Sequence, residues 1–126
     1  MAKYDVRIEV EPEYLPEQSA PEQEVYTFAY TITITNTGEV PSQLISRHWL
    51  ITDATGTTEE VKGLGVVGHQ PLLKPGESFR YTSGCRLRTA SGVMHGSYFF
   101  VAEDGERFDI PIRAFDLDDG STRVLH

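Results

Sequence analysis

The chain has 126 residues, 39% of them hydrophobic, and carries a net charge of −8. This length suits a single domain, which we predict over 1–126, with an ordered core over about 4–117 and a short polar tail over 118–126. No apolar run approaches the ~20 residues of a membrane span, and the acidity argues against nucleic acid as a partner. We therefore expect neither membrane insertion nor nucleic-acid binding.

Cysteine usage and the N-terminus both bear on location. Cys85 is the only cysteine, so the chain cannot close an internal disulfide. The first residues alternate in polarity and lack the apolar stretch of a secretion signal. Both observations favour a reducing compartment, and we predict a cytoplasmic protein.

Alternating apolar and polar residues predict strands along most of the chain. The pattern begins at 4–10, continues over 26–35, where aromatic and aliphatic side chains alternate with threonine, and becomes more apolar over 44–52. Further strands are predicted at 58–64, 78–85, 94–102 and 107–117, with a type II turn at 74–77. No segment carries a helical stripe. We predict an all-β fold, an antiparallel β-sandwich of about seven strands.

Residues 63–68 read GLGVVG, the glycine motif of dinucleotide-binding proteins. That motif needs a helix to hold the pyrophosphate, and Pro71 and Pro75 would lie inside such a helix at roughly 3 kcal/mol each. We therefore predict a loop that crosses between sheets, and no cofactor. A backbone nest for a weakly bound anion stays open as an alternative. Its candidate residues are Gly63, Gly65, Gly68, Lys62 and His69.

Catalytic and metal sites are not indicated. The four histidines show no zinc-site spacing, so we predict no metal site. Arg86 and Arg88 could lower the pKa of Cys85, but no spacing ties a general base to it. A buried, unreactive thiol and no catalytic residue are the expectation.

Charge is distributed unevenly. Residues 1–24 and 103–119 hold seven acids each, whereas 61–102 hold one acid and five Lys or Arg. We expect folding to bring the acidic ends beside the basic middle, the alternative being a face for anionic ligands.

Arg47 and Trp49 share a strand face, so Trp49 is the expected core anchor and Arg47 an edge residue. An exposed Arg–Trp contact for a partner is the alternative.

Several strings together resemble the ApaG (CorD) family. These are 26–32 (YTFAYTI), 46–53 (SRHWLITD), 63–71 (GLGVVGHQP), 79–84 (FRYTSG) and 92–98 (GVMHGSY). The resemblance implies a fibronectin type III or immunoglobulin-like sandwich of bacterial origin. It also implies an association with cobalt resistance and magnesium efflux, and a protein-binding role like that inferred for eukaryotic copies of the domain. Leu64, Arg86 and Arg88 depart from the family pattern.

We thus predict a non-enzymatic binding module that recognises an unidentified protein partner through loops or an edge strand. The expected surface combines 62–70 with 86–95. Its candidate partner-binding residues are Arg47, Arg86, Arg88 and His95. Two alternatives remain: a sensor of nucleotides or polyphosphates that uses the glycine loop without hydrolysis, and a direct sensor of divalent cations.

Overall fold

The computed structural model describes residues 2–121, in which the regular elements are eight strands and two single turns of 3-10 helix. The strands are β1 (Val6–Tyr14), β2 (Tyr26–Asn36), β3 (Ser42–Asp53), β4 (Thr58–Leu64), β5 (Leu72–Leu73), β6 (Ser78–Leu87), β7 (Ser91–Ala102) and β8 (Arg107–Asp118). The 3-10 turns span Pro16–Gln18 and Pro21–Gln23, in the polar loop between β1 and β2.

The strands form two antiparallel sheets packed face to face. One sheet has the order β1-β2-β6, and the other has the order β4-β3-β7-β8, with β5 paired to the start of β3. This confirms the predicted fibronectin type III-like sandwich, with β5 as one strand more than expected. Residues 2–121 contain no α-helix, so no helix follows the glycine motif. The predicted tail lies outside the described residues from position 122 onward.

The core is built by the alternation seen in the sequence. Trp49 is 2% exposed and packs edge-on against Tyr30, Tyr98 and Phe115, so it is the anchor that the pattern predicts. The hydroxyls of Tyr81 on β6 and Tyr98 on β7 lie 2.5 Å apart and join the two sheets inside the core. Buried polar groups are thereby paired, as a dry interior requires.

The sandwich has a closed side and an open side. On the closed side β1 lies alongside β8. On the open side β6 and β4 are the outer strands of their sheets. Because the acidic segments 1–24 and 103–119 contain β1 and β8, the acidic ends of the chain meet each other. The expected neutralisation by the basic middle is therefore largely wrong, and the contact of this kind in residues 2–121 is Arg80–Glu11, at 3.7 Å.

The crossing between sheets occurs later than predicted. After β4 the chain turns back, and Leu72 and Leu73 pair with Gln43 and Ser42 of β3. The crossing itself is the turn at 74–77, where Glu77 N–H donates to the Lys74 carbonyl at 2.9 Å and Gly76 has φ 87°. That is the predicted type II turn.

Candidate functional site

The glycine motif folds as a tight hairpin turn. Val66 and His69 exchange backbone hydrogen bonds of 2.8 and 2.9 Å, and the two residues between them, Val67 and Gly68, have φ of 42° and 82°. Positive φ at both central positions defines a type I′ turn. A β-branched residue seldom adopts this conformation, so the turn holds Val67 in a strained backbone.

The other two motif glycines allow close approach of neighbouring atoms. Gly65 has φ 64°, and a Cβ there would collide with the carbonyl oxygen of His69. A Cβ on Gly63 would lie 2.8 Å from the guanidinium of Arg47, which is its register partner on β3. Each glycine thus has a structural reason, which accounts for the motif without a nucleotide.

Arg47 ties the turn to β3. Its Nη1 donates hydrogen bonds to the carbonyl oxygens of Leu64 at 3.0 Å and Gly65 at 2.9 Å. The side chain is half-buried, as the prediction of an edge residue on the face of Trp49 implies. Arg47 therefore positions the glycine turn.

The turn uses three of the backbone N–H groups that an anion nest could draw on. The N–H groups of Gly65, Val66 and His69 donate to the carbonyls of Ile45, His69 and Val66. The His69 ring packs against Phe79 at 5.6 Å, while the amine of Lys62 reaches toward Glu60, at 3.9 Å. The five candidate anion-site residues do not converge on one point.

Beside the turn, the outer face of the larger sheet holds an open depression of about 650 Å³. Small residues from neighbouring strands, Ser46, Gly63 and Ser97, leave room between larger side chains. Its lining is Ser46, Arg47, His48, Lys62, Gly63, Leu64, Ser97, Phe99 and Asp109. We call this depression the outer groove. Its size lies in the range of ligand and peptide pockets.

The two sides of the outer groove carry different ionisable groups. On β3 and β4, His48 Nε2 lies 2.6 Å from Glu60 Oε2, and this contact, with Lys62 nearby, holds the pKa of Glu60 below its usual range. Asp109 lies on β8, at the opposite side, in the register row of Phe99 and Ser46. A bound molecule would thus meet the ring of Phe99 between the basic groups and Glu60 on one side and the carboxylate of Asp109 on the other.

Exposed apolar side chains cluster in the segment that carries the turn. Leu64 is 74% exposed, Leu72 58% and Val67 52%, and Leu64 also lines the outer groove. The three exposed aliphatic side chains lie within nine residues of sequence, and contiguous exposed apolar surface is a feature of interaction sites.

The structure separates the two halves of the predicted surface. Thr89, just after Arg88, accepts a hydrogen bond from Ala54 N–H in the β3–β4 hairpin, at the opposite end of β3 from the glycine turn. Arg86 and Arg88 line a smaller depression there, with Glu59 among its other residues. His95 is exposed and pairs with Leu50 on β3. The prediction of one surface joining 62–70 to 86–95 is wrong for Arg86 and Arg88, because they face the hairpin end of β4, whereas 62–70 begin at its other end. His95 lies on β7, in the same sheet as Lys62.

Cys85 is held in its neutral form. The thiol is half-buried, 3.9 Å from the sulfur of Met94, and burial raises its pKa to about 11, with a smaller contribution from the charge of Glu59. Arg86 and Arg88 therefore do not activate it.

Within residues 2–121 no group of three or more His, Cys, Asp or Glu side chains is arranged to hold a metal ion. No helix in the same range is long and apolar enough to span a bilayer.

Sequence reasoning missed several groove residues, including Phe99, Asp109, Ser46 and Ser97. One signal was present: the unbroken apolar run 98–101 (YFFV) must place large side chains on both faces of β7. Asp109 gave no signal, because its position across from Phe99 depends on the β7–β8 register.

Fold and surface together define a fibronectin type III-like β-sandwich with an open groove on its larger sheet. Comparison with known proteins gives the family: residues 16–102 match the ApaG domain. The chain is 72% identical to the protein ApaG of Acidovorax sp. (strain JS42), over 98% of this chain and 97% of that one. It is 61% identical to ApaG of Ralstonia nicotianae, over the full length of both. The chain belongs to the ApaG family.

Solved structures agree. The crystal structure of an ApaA protein from Bordetella pertussis superposes with a TM-score of 0.91 at 56% identity, covering 93% of this chain and 95% of that one. The X-ray structure of a structural genomics target superposes with a TM-score of 0.86 at 45% identity, covering 96% of this chain and 90% of that one.

Proposed function

We propose that this protein is a non-enzymatic binding module and that the outer groove, with the exposed side chains of the glycine-turn segment, binds another protein. One observation carries the proposal: Leu64 lines a groove that contains Phe99, and Leu64, Val67 and Leu72 of the same segment are each more than half exposed. Covering these apolar groups by a partner removes them from water, which is the main driving force for association.

The chemistry of the remaining groups supports binding over catalysis. The Cys85 thiol is protonated near neutral pH, and a nucleophile needs the thiolate. The N–H groups of Gly65, Val66 and His69 and the guanidinium of Arg47 are engaged with backbone carbonyls. The groups that would suit a nucleotide sensor thus stabilise the turn, and this favours the protein-binding alternative.

We further infer a cytoplasmic location, which the lone unpaired cysteine supports. The association with cobalt resistance and magnesium efflux, implied by the family resemblance, fits a module that acts through its partner. In this view the partner binds or transports the metal ion, and this protein acts by binding the partner.

A photo-crosslinking experiment tests the proposal. A benzophenone side chain placed at Leu64 should give a discrete protein adduct in living cells, since that side chain would lie under the partner. The same group at Thr55, in the exposed β3–β4 hairpin, serves as the matched control and should give none. Adding Phe99→Glu to the Leu64 probe should abolish the adduct, because a charge would then face the apolar contact.

The partner identified in this way is then measured against purified protein. We expect Leu64→Asp to weaken the complex roughly tenfold or more, as burial of an aliphatic anchor in an interface implies. Equal labelling from both probe positions, or unchanged affinity of Leu64→Asp, would rule out the outer groove as the binding surface. Titration with dinucleoside polyphosphates tests the sensor alternative, which requires amide shifts confined to 63–69.

A further inference from the structure

The four outer strands of the two sheets are protected unequally against pairing with another strand. On the closed side β1 contains Pro12 and β8 contains Pro111, and a bulge interrupts the β7–β8 register between Met94 and Gly96. Proline and bulges are the usual means of blocking an edge. On the open side β4 is short and carries consecutive charged residues at 59–60.

The fourth edge, β6, has neither a proline nor a bulge, and its charged residues, Arg80 and Arg86, are both positive. It pairs with β2 from Ser78 to Leu87 without a register shift and contains no proline. Asn36 N–H donates to the carbonyl of Glu77, its register partner. Because bonded and non-bonded pairs alternate in an antiparallel ladder, the backbone groups of Arg80, Thr82, Gly84 and Arg86 point away from β2. All four residues are exposed.

The charges on this edge select its partner. No acid occurs from position 78 to 102, and Arg86 makes no ion pair within residues 2–121, whereas Arg80 is paired with Glu11. If β6 of a second copy paired antiparallel about position 83, Arg80 of each copy would face Arg86 of the other. Like charges placed opposite each other disfavour pairing, so the edge resists self-association. Asp53 and Glu59 line the same depression as Arg86, but neither forms an ion pair with it within residues 2–121, so an acidic strand could pair with Arg86.

The shape of the edge adds a second requirement. Gly84 is exposed, and its register partner on β2 is the small residue Ala29. This row of the sheet therefore has a gap, and an aromatic side chain on an added strand can cover an edge glycine. On the inner face Ser83 and Cys85 are half-buried, so apolar residues of an added strand could pack over them.

We propose that β6 accepts one additional antiparallel strand from an acidic segment of a partner protein. The added strand carries a carboxylate opposite Arg86, an aromatic residue opposite Gly84, and apolar residues between them. Read from its N-terminus, the segment has the order acid, apolar, aromatic, apolar, threonine. Backbone hydrogen bonds supply the attachment, and the alternate side chains supply the specificity. This interface is independent of the outer groove.

A designed peptide tests this directly. The capped peptide Ser-Val-Glu-Val-Trp-Val-Thr-Val-Ser, titrated into ¹⁵N-labelled protein, should shift the amides of Thr82, Gly84 and Arg86 and slow their hydrogen exchange. Thr82→Pro removes an N–H that points away from β2, so the fold can tolerate proline at this edge. Because the added strand would lose a backbone hydrogen bond, binding should weaken more than tenfold. Thr82→Val keeps the N–H and should bind like the unaltered protein.

Charge and backbone controls complete the test. Arg86→Glu should weaken binding about fivefold or more, while Arg113→Glu on β8 should not change it. If Thr82→Pro fails to fold, the same test is made on the unaltered protein with a peptide methylated on the backbone nitrogen of its tryptophan. This peptide lacks one N–H donor and should not bind. The proposal is overturned if the peptide does not bind at millimolar concentration, if a lysine-for-glutamate peptide binds equally well, or if the methylated peptide binds unchanged. Leu64→Asp should leave peptide binding intact, which separates this result from the fate of the outer groove.

Discussion

Arg47 and Gly63 show how one pair of residues explains a motif. The guanidinium of Arg47 lies over Gly63, its partner across the β3–β4 ladder, and donates to the carbonyls of Leu64 and Gly65. The glycine is needed because any Cβ would displace the arginine. The turn then leaves Leu64 and Val67 in water. A glycine motif associated with phosphate binding is thus explained here by backbone geometry, and it leaves apolar side chains exposed.

We expect Arg47→Met to lower the free energy of unfolding by about 2 kcal/mol, because two carbonyls lose a charged donor. Gly63→Ala should cost about 1 kcal/mol by displacing the guanidinium, and most of that cost should vanish in the Arg47→Met background. Urea unfolding of the single and double variants measures both values. Arg113→Met, at an exposed position, is the control and should stay within about 0.5 kcal/mol of the unaltered protein. Additive effects would show that the two residues are not coupled.

At the scale of elements, β6 connects the two sheets and also has an unpaired edge. It belongs to the smaller sheet, yet Tyr81 at its centre bonds the hydroxyl of Tyr98 on β7 in the larger one. The inner face of β6 is thereby fixed to the core, while its backbone remains open on the side away from β2. A rigid strand with an unblocked edge is preorganised to pair, because little further ordering is needed on binding.

We expect Tyr81→Phe to destabilise the protein by about 2 kcal/mol, since it leaves the buried Tyr98 hydroxyl without its partner. The double variant Tyr81→Phe, Tyr98→Phe should be clearly more stable than the sum of the two single changes predicts, because it removes both polar groups together. Chemical denaturation of the four proteins closes the cycle. If the destabilisation of the double variant equals the sum of the two single effects, the hydroxyl pair does not join the sheets as described.

Strands could be predicted where apolar and polar residues alternate over many positions, whereas very short strands could not. Segments 26–35 and 44–52 alternate over many residues, so β2 and β3 follow from periodicity. Strand β5 has only two residues, Leu72 and Leu73, too few to show a period. It forms because β3 extends far enough for Gln43 and Ser42 to pair with it, which is a tertiary contact.

At the scale of the whole molecule, charge divides the sandwich. The acidic segments 1–24 and 103–119 contain β1 and β8, which lie together on the closed side. Residues 61–102, which include β6, hold five Lys or Arg against the single acid Glu77. For the partner strand that we propose at β6, this difference favours acidic side chains, since opposite potentials steer association.

The buried ionisable groups of the core predict sensitivity to alkali. Burial raises the pKa of Cys85 to about 11 and that of Tyr81 to about 12, and also raises that of Tyr98. Groups whose folded pKa is raised stabilise the fold fully below their unfolded pKa and lose that contribution as pH rises through the folded pKa. Urea unfolding should therefore show stability falling from about pH 9 to pH 12.

The variant Cys85→Ala is the control for this pH dependence. It removes the group that titrates first, so its stability should fall less than that of the unaltered protein between about pH 9 and pH 11. A stability that stays constant to pH 11 in the unaltered protein would contradict the burial of these groups.

The sequence by itself determined the sandwich, because a period of two fixes which side chains face the core, and it placed the family through five strings of residues. It also excluded a helix after GLGVVG, since Pro71 and Pro75 cannot occupy a helix interior. Only the tertiary structure decided which residues share a surface. Phe99 and Asp109 meet Leu64 in the outer groove through strand register, and Arg86 is separated from Lys62 because it faces the hairpin end of β4. Local sequence sets the conformation of each strand, whereas proximity between strands is set by the packing of the complete core.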